Sequence, residues 1–242
     1  MKKEILLMTT GIFVGTLLCH GGGAAAAGTV AEPSWQPIFV NGEQVQMEAY
    51  NIHGNNFVKL RELRAILGDR YDVVSMREMG LDVDVEENGE TFEENALIKA
   101  ETLMQLTGCA TLADDSGLCV DALGGRPGVH SARYCGVHGD DEANNQLLLK
   151  ELENVDDPDR TAHYGAAVAL CRPGHAPVTT YGMCCGQILR AYRGEGGFGY
   201  DPLFFSDDLG MTFAEADPEA KNGVSYRARA IEKLIDVLEA EK

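Results

Sequence analysis

Ala113-Asp114-Asp115-Ser116-Gly117-Leu118 is the stretch on which the fold of this chain turns. It continues a short apolar run, 110–113, that reads as a buried strand, and it sets two adjacent carboxylates at what reads as a glycine turn. A second acidic cluster, Glu86-Glu87-Asn88-Gly89-Glu90-Thr91-Phe92-Glu93-Glu94-Asn95-Ala96, lies upstream. Carboxylates gathered at loop tips suit a hydrated magnesium ion. That ion is commonly held by one or two carboxylates plus substrate phosphates, so the pattern points to a phosphate-bearing substrate. The plainer alternative is an Asx turn at a strand end with both carboxylates solvated.

Local signals extend outward from this stretch. Thr91 and Glu94 form a capping box that predicts a helix over 91–106, with Leu97, Ala100 and Met104 on one face. Helices are also expected over 140–152, with an acidic first turn, and over 225–241, with a stripe of Ile231, Leu234, Ile235 and Leu238. Strands are expected at 71–76, 81–85, 161–170 and 178–186, the last two paired around Pro173-Gly174. Gly194-Glu195-Gly196-Gly197-Phe198-Gly199-Tyr200-Asp201-Pro202 reads as a glycine-rich loop. Strands alternating with helices argue for an α/β or α+β domain.

The chain has 242 residues, 45% of them hydrophobic and 24% charged, as in an ordinary globular protein. A net charge of -18 disfavours nucleic acid as a partner, because phosphate backbones are bound by basic surfaces. The seven cysteines contain no C-x-x-C pair, so zinc spacing is absent and buried free thiols are expected.

The N-terminus reads differently. Met1-Lys2-Lys3, an apolar run from Ile5 to Cys19 and the small residues Gly21 to Gly28 resemble a secretory signal over 1–27. The run is too short for a stable membrane span. Residues 28–37 read as a linker interrupted by Pro33 and Pro37. A hairpin turning at Asn41-Gly42 and a helix over 60–67 are expected next.

From about residue 59 onward the chain resembles the XTP/dITP diphosphatase (inosine triphosphate pyrophosphatase) family. The resemblance rests on ordered motifs: the Glu86-Glu87 cluster, Thr91 to Ala96, Ala113 to Leu118, and Pro127-Gly128-Val129-His130-Ser131-Ala132-Arg133-Tyr134. Gly197-Phe198-Gly199-Tyr200-Asp201-Pro202, Lys221-Asn222 and Ser225-Tyr226-Arg227 complete the order. It implies a two-lobed α/β fold with a long central mixed β-sheet over 59–242. It also implies Mg2+-dependent hydrolysis of ITP, dITP or XTP to the monophosphate and pyrophosphate, a homodimer and a cytoplasmic location.

By resemblance, Asp115 activates the attacking water, and Glu87, Asp115 and Asp114 form the metal site. Ser116 and Gly117 face phosphate, Phe198 stacks on the purine, and Gly199, Tyr200 and Asp201 lie near the base. Lys221 and Arg227 meet the triphosphate charge. Tyr226 stands where the family has histidine. The family's first strand runs into a Thr-Gly-Asn-x-x-Lys phosphate loop, and only Asn56 and Lys59 match it when aligned on Lys59. Residues 38–67 instead resemble the stalk module of copper amine oxidase N-terminal domains, without copper ligands. This implies a leader at 1–27, a linker and stalk-like segment at 28–58, and replacement of the enzyme's first strand. The alternative function is a secreted or surface interaction protein carrying an inactive domain. A third reading keeps catalysis but shifts the substrate to another nucleotide.

Overall fold

A computed structural model describes residues 4–10, 33–40, 43–52, 55–58 and 71–241. The expected 60–67 helix, the Asn41-Gly42 turn and Lys59 lie outside the described residues. The elements run β1 (Glu4–Thr10), β2 (Pro33–Val40), β3 (Glu43–Ile52), β4 (Asn55–Val58), β5 (Tyr71–Ser75) and α1 (Phe92–Thr107). There follow β6 (Ala110–Val120), α2 (Asp141–Glu151), β7 (Thr161–Cys171), β8 (Val178–Ile188), β9 (Phe204–Ser206), β10 (Met211–Thr212), α3 (Pro218–Gly223) and α4 (Tyr226–Ala240).

Seven strands form one mixed sheet in the order β10-β9-β8-β7-β6-β1-β5. Its β5-β1-β6 end is parallel, and the rest is antiparallel. This is the long mixed sheet expected of the α/β fold. The crossover from β6 back to β7 carries α2, and β7 and β8 form a long hairpin through the Pro173-Gly174 region.

Local sequence explains the helices. Thr91 caps α1, and both halves of the capping box form: the Glu94 amide donates to Thr91 Oγ1, and Glu94 Oε2 accepts from the Thr91 amide. Gly108 ends the helix in the left-handed region at φ 68°. Ser225 caps α4, whose Ile231, Leu234 and Leu238 pack on Val73, Leu112, Val168 and Leu170. Each fully buried leucine there contributes ~2 kcal/mol of transfer free energy. On the opposite face, α1 lays Phe92, Ala96 and Ala100 against Ala113, Ala167 and Ala169. Alanine on both sides lets the helix lie close to the strands. A second core surrounds Leu118, Leu148, Leu152, Tyr164, Phe204 and Phe213 at the far end of the hairpin, which gives the fold its two lobes.

Several expectations need correction. The 81–85 stretch alternates in exposure but has no strand partner, since the sheet ends at β5. Pro33 and Pro37 do not form a linker. Both lie in β2, an edge of the three-stranded sheet β2-β3-β4, which is where a sheet tolerates proline. The enzyme's first strand is not replaced. Residues 4–10, inside the 1–27 segment read as a leader, form β1, which pairs in parallel with β5 on one side and β6 on the other. The three-stranded sheet is thus spliced into the connection from β1 to β5, and β2 runs alongside α3. Among the described residues no helix is long and apolar enough to cross a membrane.

The pairing makes a strong demand on the N-terminus. Trimming to residue 28 removes β1 and separates β5 from β6. The 28–242 variant is expected to lose cooperative thermal unfolding, followed by circular dichroism. A 28–242 protein that melts as sharply as the full chain would make β1 dispensable.

Candidate active site

The two aspartates are not at a turn. β6 runs unbroken from Ala110 to Val120, so Asp114 and Asp115 lie mid-strand and their side chains leave on opposite faces. Gly117 serves close approach instead of turning. A Cβ there would come within 2.5 Å of Gly128 O and 2.4 Å of Ser131 Oγ, because the 3-10 segment Gly128–Arg133 lies directly against the strand. Ser131 Oγ also accepts from the Leu118 amide at 2.9 Å.

On the α1 face, Asp115 sits in a polar pocket. Asn95 Nδ2 donates to Asp115 Oδ2 at 3.1 Å. The Lys99 ammonium lies 3.0 Å from Glu87 Oε2 and 3.4 Å from Asp115 Oδ1. Asn95 Oδ1 accepts from the Gly89 amide at 2.8 Å, which ties the acidic segment carrying Glu87 to the helix. Burial pushes the Asp115 carboxyl up to about 6, opposed by Lys99 and reinforced by Glu87.

On the α4 face, Asp114 Oδ2 accepts from Arg227 Nε at 2.9 Å. Arg227 Nη2 donates to Ser116 Oγ at 2.6 Å, and Nη1 to the Tyr226 hydroxyl at 3.1 Å. Asp114 is therefore paired with arginine across the strand from Asp115, not set beside it as a joint metal ligand.

A third corner comes from the glycine-rich loop. Asp201 is buried, accepts from the Phe198 amide at 2.8 Å and is paired with Lys221. Burial raises the Asp201 carboxyl, and Lys221 opposes that rise. Gly197 has φ 78°, and a Cβ there would strike the Asp201 carboxylate at 2.2 Å. The Lys221 ammonium stands 4.4 Å from the Phe198 ring centroid. Gly199 is fastened on both sides: its amide donates to Asp141 Oδ2 at 2.7 Å, and its carbonyl accepts from Asn145 Nδ2 at 2.7 Å. Tyr200 is buried, and its hydroxyl donates to the Ser131 carbonyl.

Asp115, Glu87, Asp114, Ser116, Gly117, Tyr226 and Arg227 thus gather on and around β6, while Phe198, Gly199, Tyr200, Asp201 and Lys221 form the adjoining corner. Asn56 is not brought to this sheet. It lies on β4, paired with Asn51 in the three-stranded sheet. The C-terminal end of β1 arrives instead, with Thr10 in register with Asp114. Two residues escaped sequence reasoning: Lys99, which is 3% exposed, and the working role of Asn95. Their i, i+4 spacing puts both on one helix face, and a buried lysine needs a partner.

Glu87 and Asp115 both face the Lys99 ammonium, so the two carboxylates lie near enough together for a hard divalent ion to bind between them beside it. Among the described residues no group of three or more histidine, cysteine or carboxylate side chains is gathered for a metal. Two carboxylates fit an ion whose remaining positions are filled by water and phosphate.

Residues 51–237 match the Ham1 family. The chain is 53% identical over 181 residues to the dITP/XTP pyrophosphatase of Geobacter sulfurreducens, covering 74% of this chain and 91% of that protein. It is 48% identical over 194 residues to the dITP/XTP pyrophosphatase of Bacillus licheniformis, covering 80% and 99%. The solved Ham1 protein of Staphylococcus aureus superposes with a TM-score of 0.71 at 41% identity, covering 78% of this chain and 96% of that one.

The raised Asp115 value has a stability consequence of definite sign. Folding favours the neutral carboxyl, so the penalty is absent below about pH 4 and complete above about pH 6. In EDTA at pH 7.5, Asp115→Asn is expected to stabilise the protein by on the order of 2 kcal/mol in urea unfolding, with the gain vanishing near pH 4. Equal stability of the two proteins at pH 7.5 would show that burial does not strain this carboxylate.

Proposed function

The chain belongs to the Ham1 family, and on that premise we propose that it hydrolyses the deaminated purine nucleoside triphosphates ITP, dITP and XTP to the monophosphate and pyrophosphate. The observation that carries this reading is the Asp115 carboxylate. Its side chain is 12% exposed, raised to about 6, fixed at one oxygen by Asn95 and set beside Glu87 and Lys99.

In this reading Asp115 is the general base. With Oδ2 held by Asn95, Oδ1 accepts a proton from water, and the hydroxide attacks the phosphate at the α–β anhydride. That anhydride bond breaks, and pyrophosphate leaves with its bonding electrons. Lys99 places a positive charge against the base. Glu87 and Asp115 would hold the metal, read as Mg2+, which when bound would neutralise charge on the phosphates and make a bound water more acidic. Arg227 and Ser116 meet phosphate charge from the other face of β6. Thr9 and Thr10 at the end of β1, followed in sequence by Gly11, take the place of the family's Thr-Gly phosphate loop. Asn56, on β4 of the three-stranded sheet, is left out of the set.

Phe198 stacks on the purine with Lys221 against its ring. Lys221 is a donor and suits the 6-oxo acceptor of hypoxanthine or xanthine, whereas the 6-amino group of adenine meets it donor to donor. As in the family, a homodimer working on the cytoplasmic nucleotide pool follows. A surface interaction protein with an inactive domain is not favoured, because Asp115, Glu87 and Lys99 stand together and the relatives named above include dITP/XTP pyrophosphatases.

The test is pyrophosphate release from ITP, dITP, XTP, ATP and GTP with Mg2+. The first three are expected to be cleaved with kcat/KM at least ~100-fold above ATP, and EDTA to abolish release. Asp115→Asn is expected to lower kcat by roughly 10³-fold. No release from any of the five nucleotides would overturn the proposal.

A further inference from the structure

Tyr226 occupies a position unlike the rest of the site. It is buried, and its ring stacks on Tyr164 with centroids 5.3 Å apart and planes 10° apart. Tyr164 in turn stacks on Phe213 at 5.7 Å and 13°. The Lys221 ammonium lies 5.2 Å from the Phe213 ring centroid. Three near-parallel rings therefore run from the base corner to the corner occupied by Arg227. A ring clamped in such a stack has little freedom, so its hydroxyl oxygen is a fixed point.

That fixed point meets arginine. Arg227 carries five N–H bonds, and three are committed: Nε to Asp114 at 2.9 Å, Nη2 to Ser116 at 2.6 Å and Nη1 to Tyr226 at 3.1 Å. Asp114 and Ser116 both belong to β6 and hold one edge of the guanidinium. Tyr226 holds Nη1 independently, from α4. With one N–H of each terminal nitrogen used, the other N–H of each forms a planar fork of the kind that takes a phosphate through two oxygens.

We propose that Tyr226 is a positioning residue that does not touch substrate but fixes the Arg227 guanidinium, so that its remaining fork grips the triphosphate. This rests on the phosphate-site reading given above. It replaces a direct substrate contact by Tyr226 with an indirect one through Arg227. It also accounts for tyrosine at this position: a phenol reaches past the stacked ring to present its oxygen to Nη1.

The test is a double-mutant cycle on the full chain. Tyr226→Phe keeps the ring and the stack and removes only the acceptor. It is expected to raise the KM for ITP roughly tenfold, the loss of one hydrogen bond to a charged group, with kcat within about twofold of wild type. In an Arg227→Lys background the same change is expected to have no further effect on KM, because the guanidinium it orients is gone. Calorimetric melting of each variant checks that the fold is kept. The same cycle is then read as the Kd for inorganic triphosphate, which needs no turnover, so failed hydrolysis and failed positioning are seen separately. An unchanged KM and Kd in Tyr226→Phe, full additivity with Arg227→Lys, or no binding of triphosphate by the wild-type chain would each overturn the proposal.

Discussion

The site depends on the two-residue period of a β-strand. Asp114 and Asp115 are neighbours in sequence, yet the pleat sends them to opposite faces of β6. Each carboxylate then meets a cation from the helix packed on its own side: Lys99 of α1 for Asp115, and Arg227 of α4 for Asp114. Two adjacent negative charges in a buried strand would otherwise repel and resist desolvation. Here each has a partner, and the sheet separates them into one corner suited to base chemistry and one suited to anion binding. The helices can reach these positions because alanines thin the α1 interface and the α4 stripe fixes the rotation of the other helix.

Much of the frame was legible in the sequence because it is governed locally. The Thr91–Glu94 capping box, the Ser225 cap, the α4 stripe and the β7–β8 pairing all follow from spacing of a few residues. What was not legible depends on distant partners. Gly117 looks like a turn residue until Ser131 and Gly128 are seen against it. The 81–85 stretch has strand-like alternation but no neighbouring strand to pair with. The run containing β1 has the composition of a leader, and only its parallel partners β5 and β6 identify it as the inner strand of that end of the sheet. Lys99, a lysine in an acidic helix, looks like a solvated charge until Glu87 and Asp115 are seen around it.

The Asp201–Lys221 corner and the Arg227 corner are not independent. Asp201 and Lys221 are buried together, Lys221 stands against both Phe198 and Phe213, and Phe213 begins the ring stack that ends at Tyr226. Such a stack deforms less readily than a loop, because parallel rings in a close-packed core have few alternative arrangements. The position of Arg227 is thus set by the same core that anchors the glycine-rich loop.

The splice between β1 and β5 has a practical side. Its strand β2 carries Trp35, the single tryptophan of the 242-residue chain, and borders the helix that bears Lys221. Indole emission from this protein therefore originates in one strand, β2. The chain carries its own optical probe, and any rearrangement of β2 against α3 can be timed in a stopped-flow instrument without attaching a dye.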